Sequence, residues 1–228
     1  MKNERNEKIL EKKLGISFRN PKLLHTALVH RSYLNETQEP QSNERFEFLG
    51  DAVLEFVVSA NLTVSFPDLQ EGELTALRAR LVNTESLASV ATKLNLGDVL
   101  YLSRGEEGGG GRKNTALLAD TFEAVVGALF LDQGIEACEK VVAHLILPRA
   151  TDELAHLKDP KSLLQELVQA QGKRAPFYKV VNEKGPDHAK MFTVAAVVED
   201  EKIAIGMGKS KKEAEEEAAK AALERLKE

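Results

Sequence analysis

Asn43-Glu44-Arg45-Phe46-Glu47-Phe48-Leu49-Gly50-Asp51-Ala52-Val53-Leu54 is the stretch that decides how this chain is read. Three carboxylates, Glu44, Glu47 and Asp51, stand at i, i+3 and i+7. On a helix turning 100° per residue they fall within about 60° of one another. Phe46, Leu49 and Val53 fall on the opposite face, the expected core side. A line of surface acids is also what an ordinary solvated helix face looks like. Two details weigh against that reading. The acids repel one another along one line, each neighbouring pair by about 0.2–0.5 kcal/mol. And Phe48, a large apolar residue, sits about 40° from Glu44, beside the acids and away from the core face.

A second helical stretch repeats the pattern. Between Thr115 and Leu131, Asp120 and Glu123 stand at i, i+3, while Leu118, Phe122, Val125 and Leu129 lie on the far side. Further helices are expected at 5–14, from Pro21 to about His30 with Pro at the first helical position, from Asn43 to Ser65, from Glu71, over Thr84–Leu94 and over 135–147. Strand patterns are essentially missing up to Pro148, so residues 5–150 are expected to form an all-α domain. The run from Arg104 to Asn114 is glycine-rich. No Lys-Ser/Thr follows its glycines and no strand precedes them, so it is read as a flexible loop with basic residues and not as a phosphate-binding loop.

After Pro148 the pattern changes. Residues 151–158 are expected to be a linker, and the stretch from Ala155 to Pro160 is short and polar as a linker should be. Pro160–Gln171 reads as a helix, and Tyr178–Glu183, Lys190–Val198 and Lys202–Met207 read as strands. Gly185-Pro186-Asp187 and Glu199-Asp200-Glu201 supply the turns. An Ala- and Glu-rich helix from about Ser210 to Leu226 closes a small α+β domain, residues 159–228, in the order αβββα.

The chain has 228 residues, 43% hydrophobic and 29% charged, with a net charge of −5. A negative balance argues against a nucleic-acid binder, but the charge is unevenly spread. Residues 156–228 carry 14 Lys+Arg against 13 Asp+Glu, whereas the first 155 carry 17 against 23. The acidic excess therefore sits with the carboxylate helices, as in a divalent-metal site before its cation is added. No apolar run of membrane length and no signal segment is evident, so a cytoplasmic location is the default expectation. The single cysteine, Cys138, is expected in the core. No Cys/His cluster has zinc spacing, and His30 and His144 are read as structural.

Asn43–Leu54 closely resembles the signature of the ribonuclease III family. Ala27-Leu28-Val29-His30-Arg31-Ser32, Glu71-Gly72 and Leu117–Ala128 resemble the same family, in its order and spacing. Residues 157–228 resemble a double-stranded-RNA-binding domain through Lys161-x-x-Leu164-Gln165-Glu166, Pro176-x-Tyr178, Gly185-Pro186-Asp187-His188-x-Lys190-x-Phe192, and the run from Gly206 to Ala219. The first set is specific for the enzyme family. The second is specific for fold and ligand class only.

The resemblance implies an endoribonuclease that cuts double-stranded RNA with Mg²⁺, Mn²⁺ being able to substitute. It implies a core metal site of Glu47, Asp51, Asp120 and Glu123, with Asp51 and Glu123 catalytic and Glu123 the most critical. Glu44 and Glu71 would be accessory acids. Phe48 would insert into a second copy in a homodimer; the alternative is a Phe covered by a helix of its own chain. In the second domain, Gln165 and Glu166 would meet one minor groove and His188 the next. Lys209, Lys211 and Lys212 would hold phosphates at a helix N-terminus. The rival class is a non-catalytic double-stranded-RNA-binding protein that retains the fold.

Overall fold

The computed structural model describes residues 2–184 and 190–227. The chain divides into two compact units, with the division after Glu153.

The first unit is helical: α1 (Lys2–Leu14), α2 (Pro21–Ala27), α3 (Glu44–Ser65), α4 (Glu71–Val82), α5 (Thr84–Leu94), α6 (Leu96–Val99), α7 (Arg104–Gly108), α8 (Thr115–Gln133) and α9 (Ile135–Leu145). Local chemistry sets many of the ends. Asn20 caps α2, accepting from Lys22 N, with Pro21 behind it; Asn83 caps α5 and Asn114 caps α8. Asn95, at φ 60°, takes the left-handed turn that ends α5. The centre of the unit is the α3–α8 pair. α3 buries Val53, Leu54, Val57, Val58 and Leu62, the spacing of one helix face. α8 is buried along most of its length, with Phe122 fully enclosed.

Two glycines bring these helices together. A Cβ at Gly50 would collide with the Glu123 carbonyl oxygen, and a Cβ at Gly127 with the Phe46 carbonyl oxygen. The helices therefore touch backbone to backbone where the acids lie. α3 is also long and apolar enough by composition to cross a membrane. Its apolar character here is explained by the face it turns to α8 and by a second apolar side described below.

Several local expectations are corrected. The helix from Pro21 stops at Ala27, three residues short of His30, because the backbone is taken by another strand-like segment. Tyr101 N donates to the Leu28 carbonyl at 3.0 Å and His30 N to the Tyr101 carbonyl at 3.1 Å. The glycine-rich run is no free loop. Ser103 caps α7, Gly111 is buried, and Arg112 donates to the carbonyls of Gly97 (2.7 Å) and Leu100 (3.0 Å). The expected linker is helical: Ala150–Lys158 forms α10, with Glu153 bound to Arg80 (3.2 Å) and Arg149 (3.1 Å). Cys138 is buried as expected, and burial pushes its thiol up to about 12.

The second unit has the order α11 (Pro160–Ala170), β1 (Phe177–Lys184), β2 (Met191–Val198), β3 (Glu201–Gly208) and α12 (Lys211–Lys227). The three strands form one antiparallel sheet in sequence order. Glu199 and Asp200, both at positive φ, make the tight β2–β3 turn. The turn expected at Gly185-Pro186-Asp187, and His188 with it, lies outside the described residues. Leu164 and Val168 of α11 and Ala218, Ala219 and Ala222 of α12 pack on Ala196 and Val198. Small residues let α12 lie close to the sheet: a Cβ at Gly206 would strike the Ala218 and Ala214 backbone. The Tyr178 hydroxyl is buried with no hydrogen-bond partner.

Candidate metal centre

α3 presents Glu47 and Asp51, and α8 presents Asp120 and Glu123. The Gly50–Gly127 contact places the two acid rows against each other. One carboxylate oxygen from each of Glu47, Asp120 and Glu123 lies within 4.8 Å of the other two, and all three side chains are half-buried. The electrostatics follow. Glu123 is pushed up to about 7, by burial first and then by the charges of Asp51, Asp120 and Glu47. Glu47 is raised by burial and by Asp120, Glu44 and Asp51. Asp120 is raised by burial, partly offset by His30 and a backbone hydrogen bond. Acids held together against their own repulsion suit a hard divalent ion that binds through oxygen.

Asp51 is exposed and outside the converging trio, yet its charge reaches both Glu47 and Glu123. Glu44 turns elsewhere: its carboxylate accepts from Ser42 Oγ at 2.8 Å and pairs with Arg31 at 3.3 Å. Glu71, at the start of α4, accepts from Thr75 Oγ1 at 3.1 Å. Neither joins the trio. His30 holds a turn, as a structural histidine should. Its side chain caps Arg31–Asn35, and its Nδ1 lies 2.8 Å from Ser32 Oγ. His144 is exposed in the last turn of α9.

Phe48 is 82% exposed, so no helix of its own chain covers it. It borders an open groove of about 720 Å³ lined also by Leu23, Phe46, Leu49 and Leu131. Phe46 and Leu49 were expected in the core beside Val53. Only Val53 is buried, and the other two are half-buried in the groove wall. Phe56 (60% exposed) lies about 80° round α3 from Phe48, whereas Val64 (82%), about 160° round, stands on another side. α3 thus has two apolar sides, one toward α8 and one toward solvent.

The residues that sequence reasoning missed are Gly50 and Gly127. A glycine inside an exposed helix costs about 1 kcal/mol relative to Ala, so one in each acid-bearing helix was the available signal of a close crossing.

In the second unit Gln165 and Glu166 are exposed on α11, and Lys209, Lys211 and Lys212 are exposed around the start of α12. Ser210 Oγ accepts from Glu213 N at 3.1 Å, while the Glu213 carboxylate accepts from Lys209 N at 2.7 Å. Lys211 lies 3.8 Å from Glu183, and Lys212 lies 3.8 Å from Glu216. Such long, exposed pairs contribute little and exchange readily for a stronger anion.

A helical unit that gathers carboxylates from two helices, joined to an αβββα unit with an exposed basic helix start, defines a nuclease with its own RNA-binding domain. Residues 20–150 match the Ribonuclease-III-like family, and residues 160–226 match the double-stranded RNA binding motif. The chain is 46% identical to a Ribonuclease 3 of Bacillus velezensis, over 96% of this chain and 89% of the relative. It is 48% identical to a Ribonuclease 3 of a Geobacillus species, over 96% and 91%. A solved nuclease domain of ribonuclease III from Campylobacter jejuni superposes with a TM-score of 0.58 at 41% identity, covering 61% of this chain and 95% of that one. That structure is described as showing flexibility in a region involved in dimer formation. The chain belongs to the ribonuclease III family.

Proposed function

We propose that this protein is a divalent-metal-dependent endoribonuclease that hydrolyses double-stranded RNA as a homodimer. The observation that carries the reading is the convergence of Glu47, Asp120 and Glu123 from two helices in a chain that also bears a double-stranded RNA binding motif.

Glu47, Asp120 and Glu123, with Asp51 beside them, would hold Mg²⁺ or Mn²⁺. Bound there, divalent ions supply an activated water and neutralise charge on the leaving oxygen. The chain's own part is to fix the ligand oxygens. The backbone contact at Gly50 and Gly127 sets the distance between the two acid rows. Burial and mutual repulsion keep Glu123 partly protonated near neutrality until a cation compensates the cluster. Glu44 and Glu71 have accessory roles at the cleft around this centre.

Phe48 and the apolar groove beside it suit a two-fold pairing, in which each copy's Phe48 enters the other's groove. Paired centres then cut the two strands of one duplex, leaving 5′-phosphate ends and short 3′ overhangs. The second unit selects A-form RNA by shape. Gln165 and Glu166 face one minor groove and His188 the next, while Lys209, Lys211 and Lys212 bind phosphates across the major groove. Ribosomal RNA precursors and structured messenger RNAs in the cytoplasm are the substrates of this activity. The test is a long perfect RNA duplex incubated with the protein in Mg²⁺ or in EDTA. Short duplex products in Mg²⁺ alone are expected; intact duplex in Mg²⁺ overturns the proposal.

A further inference from the structure

Away from the acid cluster, one histidine bridges two carboxylates from distant parts of the chain. His25 of α2 places Nδ1 3.3 Å from Glu7 Oε1 of α1 and Nε2 3.1 Å from Glu39 Oε1, in the segment between the Arg31–Asn35 turn and α3. Carboxylates only accept hydrogen bonds. A neutral imidazole has one N–H, so it serves one of them and turns a lone pair toward the other. Only the imidazolium donates to both.

The surroundings fix this arrangement. Tyr101 donates its hydroxyl to the same Glu7 oxygen at 2.8 Å, and its ring meets His25 edge-on at 4.6 Å. Tyr33 packs on Tyr101 at 5.5 Å. Lys8 and Glu11 of α1 border the same side of α2 beside Pro21 and Leu24, with Glu11 Oε1 engaged by Phe18 N. The ring is therefore faced by Glu7, Glu39 and Tyr101, and α1 adds one cation and one further acid nearby.

We propose that His25 is a proton-dependent clamp that, when charged, ties α1 and residues 36–42 to α2 and, on losing its proton, releases residues 36–42, Glu7 being held by Tyr101 as well. The consequence reaches the front of α3. Asn43 follows the clamped segment directly, bonding through its N–H to the Val29 carbonyl at 2.8 Å, and Gln41 lines the groove beside Phe48.

The direction of the linkage follows from the contacts. Burial alone lowers the pKa of His25, but its bonds to Glu39 and Glu7 outweigh burial and the net shift is upward. A histidine raised in the folded state stabilises fully below its ordinary value of 6.5 and loses that contribution as pH rises through the folded value.

The test uses the full-length protein. The His25 imidazole signal, assigned by its loss in His25→Gln, is titrated by NMR. Hydrogen exchange of residues 36–42, corrected for the intrinsic rate, is measured at about pH 6 and about pH 9, pH values chosen to lie either side of the folded midpoint. The expected midpoint lies above 6.5, and Glu39→Gln lowers it. Protection of 36–42 should fall with pH in the wild type and stay low at both pH values in Glu39→Gln. Each tenfold loss of protection corresponds to about one pKa unit between the clamped and released segment. A midpoint at or below 6.5, or equal protection at both pH values in the wild type, overturns the clamp. Should Glu39→Gln fail to fold, the wild-type midpoint and protection still decide.

Discussion

Replacing Glu123 with Gln should stabilise the metal-free protein while disabling its metal centre. The side chain is held up to about 7 from an ordinary 4.5, chiefly by burial and then by Asp51, Asp120 and Glu47. Between those two values the folded chain binds more protons than the unfolded chain. Stability therefore falls as pH rises from 4.5 through about 7, and remains low above. A shift of that size is worth about 3 kcal/mol at about 1.4 kcal/mol per unit. Glu123 is only half-buried, and solvent screening reduces the figure to about 1–2 kcal/mol. Gln carries no charge and lifts this cost. In EDTA at about pH 8, Glu123→Gln should melt roughly 2–8 °C above the wild type, at about 2–4 °C per kcal/mol. Near pH 4.5 the two should converge. Added Mg²⁺ should raise the wild-type Tm more than that of the variant, since binding to the folded state stabilises it. Thermal unfolding by circular dichroism reads all of these. A variant less stable than wild type in EDTA at pH 8, or a difference that does not change with pH, refutes the repulsion argument.

Phe48→Asp should turn the proposed dimer into a monomer while each chain still folds, because the side chain stands in solvent within its own chain; light scattering that shows an unchanged mass contradicts the docking role. Lys211→Ala with Lys212→Ala should weaken duplex RNA binding and lower the slope of log K against log salt by up to about two. An unchanged slope removes the phosphate contacts. Tyr178→Phe should leave the second unit as stable or stabilise it by about 1 kcal/mol, since it removes a buried hydroxyl with no partner and keeps the ring under Lys161. A loss of more than about 1 kcal/mol in thermal or denaturant unfolding would show that the hydroxyl is satisfied in solution.

Much of this architecture is written in local pattern. The acid rows of α3 and α8, the caps at Asn20, Asn83 and Asn114, and the αβββα order follow from helix and strand periods acting over a few residues. What escaped depends on contacts between distant residues. The i, i+3, i+7 spacing says which side of α3 bears acids, not which helix that side meets; Gly50 and Gly127 decide that. Phe46 and Leu49 have the spacing of a core face, yet they line an open groove, because apolarity alone does not distinguish a core from an unpaired interface. The helix after Pro21 ends at Ala27 because Tyr101, more than seventy positions away, takes the backbone groups of Leu28 and His30. Five glycines between Gly105 and Gly111 suggest a mobile loop, and the Arg112 side chain fixes it by bonds to Gly97 and Leu100 that no local propensity encodes. The 151–158 stretch is short and polar like a linker, but Arg80 and Arg149 converge on Glu153 where α10 begins.

The central claim is that carboxylates from α3 and α8 form the cutting centre while the second unit holds the duplex. Single-turnover cleavage of a labelled RNA duplex, measured beside equilibrium binding, tests it most directly in Glu123→Gln. The expected result is duplex affinity within about twofold of wild type, a change under about 0.5 kcal/mol, with cleavage abolished at saturating Mg²⁺. Cleavage at the wild-type rate would contradict the account.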